Sequence, residues 1–271
     1  KMMVDQAHEV ALNVLRPISR KYDKAEHAYP KELDMLASLI DGMNEGGEGI
    51  NAGAAVGKRG ETETGNKNGN NMSTALGIIE MCYGDTGLLL SMPRQGLGNS
   101  AIAAVANDEQ LERFKGTWAA MAITEPGCGS DSAAIRTTAT QDGDEYILNG
   151  EKIFVTSGDR ADSVVVWATL DKKLGRAAIK SFVVPKGTAG MKVERLEHKL
   201  GIKASDTAVI SFIDCRVPAA NLLGNPEIDV AKGFAGVMET FDNTRPLVAA
   251  MAIGCAKASL ERIKEIFKDQ L

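Results

Sequence analysis

Histidine and cysteine are scarce and scattered in this chain. Three histidines (His8, His27, His198) and four cysteines (Cys82, Cys128, Cys215, Cys255) are spread over 271 residues, with no C-x-x-C pair. Neither set has zinc-ligand spacing, so no metal site is expected. The thiols read as reduced, buried side chains of a cytosol or matrix. Basic excess is lacking as well: 31 Lys and Arg against 36 Asp and Glu leave a net charge of −5. That balance excludes the positive face of a nucleic-acid binder. The longest apolar run, residues 247–256, stops at Lys257 and is too short to span a bilayer. Residues 1–14 carry scattered charges and no continuous apolar core, so they do not read as a secretory signal. No G-x-G-x-x-G follows a strand and opens a helix, and no internal repeat is present.

What is there falls into three segments. From Val4 to Lys21, apolar residues recur at helical spacing, and Pro30 opens a second helix through Leu33, Leu36, Leu39 and Ile40. Residues 44–71 are rich in Gly, Asn and charge without any period, which predicts a flexible loop. Helical pattern resumes at Ser73, breaks at Gly84–Gly87 and continues to Phe114, with Asn107-Asp108-Glu109 as a capped start. After residue 131 the pattern alternates as strands do. Asn149-Gly150 between two apolar runs predicts a type I′ hairpin. Further strands are expected at 163–169, 179–184, 191–194 and 208–213. Helix returns near Ala231 and runs to Leu271, bent at Pro246. The predicted fold class is therefore α+β: an N-terminal helical domain (1–119), a central antiparallel β-barrel or sandwich domain (120–222), and the start of a C-terminal helical bundle (223–271).

Four runs carry chemical information. The first is Met121-Ala-Ile-Thr-Glu-Pro-Gly-Cys-Gly-Ser-Asp131, an apolar wall breaking into an exposed glycine turn with a hydroxyl and a carboxylate. The second is Lys152-Ile-Phe-Val-Thr-Ser-Gly158, the third Lys199-Leu-Gly-Ile-Lys-Ala-Ser-Asp-Thr207, and the fourth Phe241-Asp-Asn-Thr-Arg-Pro246. In this order they resemble the motifs of the acyl-CoA dehydrogenases, flavoenzymes that desaturate acyl-CoA thioesters. The likeness covers nearly the whole chain outside 44–71. Phe154 stands where relatives usually carry tryptophan, and Lys203 where arginine is usual.

The resemblance implies FAD as cofactor, an acyl-CoA substrate, an electron-transferring flavoprotein as electron acceptor, and a homo- or hetero-tetramer in a bacterial cytoplasm or mitochondrial matrix. It places Met121, Ala122, Ile123 and Thr124 along the flavin edge, and Gly129 and Ser130 near the pyrophosphate, Ser130 also near the acyl-CoA. Phe154 covers the ring face, with Val155 and Thr156 beside it. Phe for Trp keeps an apolar stacking surface and loses the indole N–H. Asp242 and Arg245, one turn apart, reach the CoA moiety, with Arg245 paired to Asp242. Read without the resemblance, Phe154 is a core residue of an alternating strand, and Asp242 and Arg245 belong to a surface ion-pair ladder. His198 reads as a solvated or interface residue, and Glu125, before a proline, as stabilising the turn.

The chemistry implied needs a carboxylate to remove the substrate α-proton. One branch of the family carries it immediately before the helix arginine, where this chain has Thr244. The other carries it farther downstream, so the base is expected beyond Leu271 in a longer natural chain. Two alternatives stay open: a non-catalytic FAD- and CoA-binding partner subunit, and an oxidase or monooxygenase on the same scaffold.

Overall fold

A computed structural model of the chain describes residues 2–45, 70–229 and 235–268. Helix α1 (Met2–Val10) passes through a π turn (Ala11–Leu15) directly into α2 (Arg16–Lys24). Their apolar stripe buries Ala7, Ala11, Leu15 and Tyr22. Helices α3 (Glu32–Glu45) and α4 (Asn70–Gly84) enclose the region read as a loop. Residues 44–45 and 70–71, assigned to that loop, are helical, and the rest of it lies outside the described residues. Short helices α5 (Thr86–Leu90), α6 (Leu97–Val105) and α7 (Asp108–Arg113) follow. The start of α7 is a capping box: the Asn107 side chain accepts from Gln110 N at 2.9 Å, and Gln110 Oε1 accepts from Asn107 N at 3.2 Å.

Seven strands form one curled sheet: β1 (Ala119–Ala122), β2 (Thr138–Asp142), β3 (Glu145–Thr156), β4 (Ser163–Thr169), β5 (Ile179–Pro185), β6 (Met191–Leu196) and β7 (Thr207–Pro218). The order is β1-β4-β2-β3-β7-β6, with β5 added to β4. The helix–sheet–helix order agrees with the α+β expectation, but the sheet is mixed. Strand β4 pairs in parallel with β1 and, at Thr169, with β2. The expected hairpin at Asn149-Gly150 is overturned. Both residues lie inside β3, where a register shift separates Leu148 from Gly150 against β7. The chain instead reverses between β2 and β3, where Gly143 takes the left-handed φ of 64°. Gly150 is needed for clearance, because a Cβ there would meet Thr137 Oγ1 at 2.4 Å.

Strand β4 is buried throughout and divides two cores. Val164, Val166 and Ala168 face Leu148, Phe182 and Phe212. Val165 and Trp167 face Ala101, Ile102 and Val237, the side covered by helices. Helix α6 lies directly on β1: a Cβ on Gly98 would meet Ala120 O at 2.2 Å. The final helix, α8 (Ala235–Phe267), runs through Pro246 and packs along α4 and α6. Close approach to α4 is permitted by Gly254, whose Cβ would meet Ile79 O at 2.3 Å. No helix among the described residues is long and apolar enough to cross a membrane.

Candidate functional site

The turn after β1 is built around one carboxylate. Glu125 and Cys128 exchange backbone hydrogen bonds of 3.0 and 3.1 Å, closing the Pro126-Gly127 turn. Glu125 Oε1 accepts from Thr137 N (2.9 Å), Thr137 Oγ1 (2.5 Å) and Lys152 Nζ (2.8 Å), while Oε2 accepts from Arg136 N (2.7 Å). Both oxygens of this buried carboxylate accept hydrogen bonds, which fits its expected role in the turn rather than proton transfer. Burial alone would raise its pKa, but Lys152 and these donors hold it below the usual carboxylate range. Lys152 is wholly buried, and burial pulls its ammonium down to about 8 against the opposing pull of Glu125.

This pair fastens two walls together. Lys152 Nζ also donates to Ile123 O at 3.0 Å, and Ile153 N donates to Thr124 O at 2.9 Å. The segment 121–124 is thus held alongside the end of β3. There the strand is irregular: its register shifts between Lys152 and Val155, and Phe154 adopts a φ of 59°. The bulge breaks the alternation. Val155 takes the core position, and Phe154 turns outward with 60% of its surface exposed. A left-handed non-glycine residue costs about 1–3 kcal/mol and persists where its surroundings over-determine it. Ser157, also left-handed, is fixed by its N–H to Asp206 O at 3.1 Å.

Beyond Thr156 an apolar cavity of about 450 Å³ opens between the sheet end, α6 and α8. Thr156, Ser157, Gln95, Ser100 and Thr244 are among its polar points, and Leu97, Leu247 and Met251 among its apolar ones. Gln95 Oε1 is buried without a hydrogen-bond partner among the described residues. Buried polar atoms are rarely left so, and this one marks a place for a ligand or solvent donor.

Of the sequence-expected site residues, Met121, Thr124, Phe154 and Thr156 present partly or fully exposed side chains along these walls. Gly129 and Ser130 are exposed at the turn, and a Cβ on Gly129 would touch only Thr124, at 3.9 Å. Ala122 and Val155 point the other way, into the β core, because each follows strand direction away from the walls. Ile123 is likewise buried, in the helix-covered core, so these three can offer a ligand backbone only. The expected Arg245–Asp242 pair does not form: the Arg245 guanidinium lies over the Phe241 ring, 5.1 Å from its centroid, and both polar residues are exposed. Thr244 is buried and donates to Thr240 O at 3.0 Å. Sequence reasoning missed Gln95, Ser100 and Ser157, which carry no local signal and reach the cavity through the packing of α6 and the bend after β3.

Residues 120–215 match the model of the acyl-CoA dehydrogenase middle domain. A short-chain specific acyl-CoA dehydrogenase of Clostridium acetobutylicum is 31% identical over 278 residues, 100% of this chain and 68% of the relative. The chain belongs to the acyl-CoA dehydrogenase family. An acryloyl-CoA reductase (NADH) of Anaerotignum propionicum is 34% identical over 275 residues, covering 96% of this chain and 64% of the relative. Among solved structures, one of the electron transferring flavoprotein of Acidaminococcus fermentans holds a chain with a TM-score of 0.74 and 34% identity, covering 96% of this chain and 66% of that one. The present chain thus spans about two thirds of the length of these family members.

Proposed function

We propose that this chain binds FAD and an acyl-CoA thioester and takes part in α,β-desaturation of the acyl group, with electrons passed to an electron-transferring flavoprotein. The observation that carries this reading is the outward Phe154 on its bulge, next to the 121–124 wall and two residues before Thr156, which lines the apolar cavity. An exposed aromatic in a strained backbone and an unpartnered Gln95 carbonyl fit a flat, polar-edged ring system. Bound there, FAD would supply the acceptor for hydride from the substrate β-carbon.

The chain's own residues would do the following. Phe154 gives the ring an apolar face, and the Thr124 and Thr156 hydroxyls offer hydrogen bonds at its edges. Gly129 and Ser130 leave open backbone for a diphosphate. The Lys152–Glu125 pair holds the two walls at fixed spacing, so their donors need no rearrangement when the ligand arrives. A single preorganised donor to a thioester carbonyl is worth about 3–4 kcal/mol in such reactions. The apolar cavity takes the acyl chain and keeps water from it.

Thr244 favours a second reading. Its hydroxyl is committed to the Thr240 carbonyl, and no carboxylate is among the described residues lining the cavity. On that reading the chain is the FAD- and CoA-binding partner of another chain that supplies the base. The exposed apolar residues of α8, Val248, Ile253, Leu260, Ile263 and Ile266, fit burial in a tetramer, homomeric or heteromeric. Four free cysteines suit a reducing cytoplasm or matrix.

An anaerobic titration of the FAD-loaded protein with acyl-CoAs of graded length, followed at the flavin absorption band, tests both readings. Bleaching by one length class supports desaturation. A perturbed but unbleached band, with no exchange of substrate α-deuterium, supports the partner subunit. A protein that takes up no flavin sinks both.

A further inference from the structure

The three histidines are remote from one another in sequence, yet the fold brings two of them together with a carboxylate. Glu26 and His27 lie in the turn after α2, and His198 lies in the segment after β6, 172 residues from Glu26. His198 Nδ1 stands 3.0 Å from Glu26 Oε2, and the other oxygen, Oε1, accepts from Lys199 N at 2.9 Å. The two imidazole rings are 5.2 Å apart and tilted by 55°. One ligand atom from each of the three residues falls within 4.8 Å of the others.

His27 is the decisive member. Both of its ring nitrogens are buried, and neither has a hydrogen-bond partner among the described residues. A buried imidazole without any partner gives up the hydrogen bonds it would make to water, a loss of about 1–3 kcal/mol per group. Its backbone is left-handed as well, with φ at 69°. The surroundings hold it there: Arg160 donates to the His27 and Ala28 carbonyls, at 3.3 and 3.0 Å, while its own charge is met by Asp206 at 3.3 Å. Two unmet nitrogens facing a second imidazole and a fixed carboxylate form an incomplete coordination shell.

We propose that Glu26, His27 and His198 bind a divalent transition-metal ion of the zinc class, which ties the turn after α2 to the segment after β6. Imidazole nitrogen and carboxylate oxygen are a suitable donor set for such an ion and a poor one for magnesium. Ligand bonds near 2.0–2.1 Å place tetrahedral donors about 3.4 Å apart, so donors that lie within 4.8 Å must close by about 1.4 Å at most. The His198 side chain, 84% exposed, is free to swing that far. The three residues leave one tetrahedral position open. The ion binds neutral imidazoles, so any proton on them leaves to solvent, and no redox step is involved. The site shares no residue with the lining of the apolar cavity, and it does not depend on flavin binding.

The test is a Zn²⁺ titration of the purified chain against a chromophoric chelator, with thermal unfolding as a second readout. The expected result is one site per chain and a rise in Tm on adding Zn²⁺. His198→Gln, an exposed change, and His27→Asn, which keeps a residue tolerant of left-handed φ, should each weaken binding about tenfold or more and abolish the rise in Tm. Cys255→Ser, removing the one exposed thiol, should leave both unchanged. Equal binding by the wild type and His198→Gln overturns the proposal. So does binding that disappears with Cys255→Ser, or a wild type that does not take up Zn²⁺.

Discussion

Two glutamate–lysine contacts of nearly equal length, one in each half of the molecule, behave differently. Glu125 and Lys152 meet at 2.8 Å in the sheet with side-chain exposures of 7% and 0%. Glu80 and Lys257 meet at 2.8 Å between α4 and α8, where Lys257 is 36% exposed and His8 Nδ1 adds a second partner at 2.7 Å. The sheet pair stitches the segment 121–125 to β3, beside the backbone hydrogen bond from Ile153 N to Thr124 O. The helical pair reinforces surfaces already joined by apolar packing around Ile78, Met81 and Ala250. Charge is structural in one half and auxiliary in the other.

The sharpest way to break this contrast is Lys152→Met. It leaves Glu125 buried without its cation and should cost about 3–5 kcal/mol in urea unfolding, whereas Glu125→Gln with Lys152→Met should recover much of the loss. A single variant as stable as the wild type would overturn the claim. Next come two glycines. Gly98→Ala should push α6 off β1, and Gly254→Ala should push α8 off α4, each by about 1–3 kcal/mol. Hydrogen exchange should place the first loss in the sheet and the second in the helices; the same protection pattern for both would erase the boundary between the halves.

Phe154→Ala should weaken FAD binding by about tenfold at most, the value of one aromatic stacking contact, with Phe154→Trp close to wild type. Absorbance titration with FAD measures it, and stability should hardly change because the side chain is exposed. Acid separates the pairs too. Glu125 and Glu80 are both held below the ordinary carboxylate pKa, so what they contribute is complete above about pH 4.5 and lost as pH falls through their folded-state values. The Glu125→Gln, Lys152→Met double variant should therefore flatten the acid limb of the stability profile more than Lys257→Ala. The smallest effect is that of Lys257→Ala at neutral pH, about 0–1 kcal/mol by the same urea assay.

Local chemistry was legible where one cause dominates. The run 163–169 is a strand end to end, because a nearly unbroken apolar, β-branched stretch suits a position buried on both faces. Asn107 caps α7 as its sequence suggests, since a cap needs only residues three positions apart. Asn149-Gly150 misled because turn propensity is weak against nine residues of β3 paired with β7 and the need to clear Thr137. Phe154 misled the plain strand reading for the opposite reason: alternation was correct up to Lys152, and a bulge then moved every later side chain by one position. The meeting of Thr156 with Thr244 rests on how α8 lies over the sheet, and no local pattern encodes that. The same holds for His27 and His198.

Gly96 and Gly98 have a consequence for substrate choice. A Cβ at either would run into the β1 backbone, at 2.1 and 2.2 Å, so the first turn of α6 rests on main chain with no side chain between. That turn, with Gln95, Gly96, Leu97 and Ser100, is one side of the apolar cavity, and it can neither retreat nor tilt without tearing off the strand. The opposite side is made of side chains on α8: Leu247, Val248 and Met251. If the cavity takes an acyl chain as proposed, it would act as a gauge with one fixed jaw. On the proposed reading, acyl length and branching would be tuned by trimming or lengthening side chains on α8, together with Ile78 of α4 and Leu90 of α5, and not by the first turn of α6.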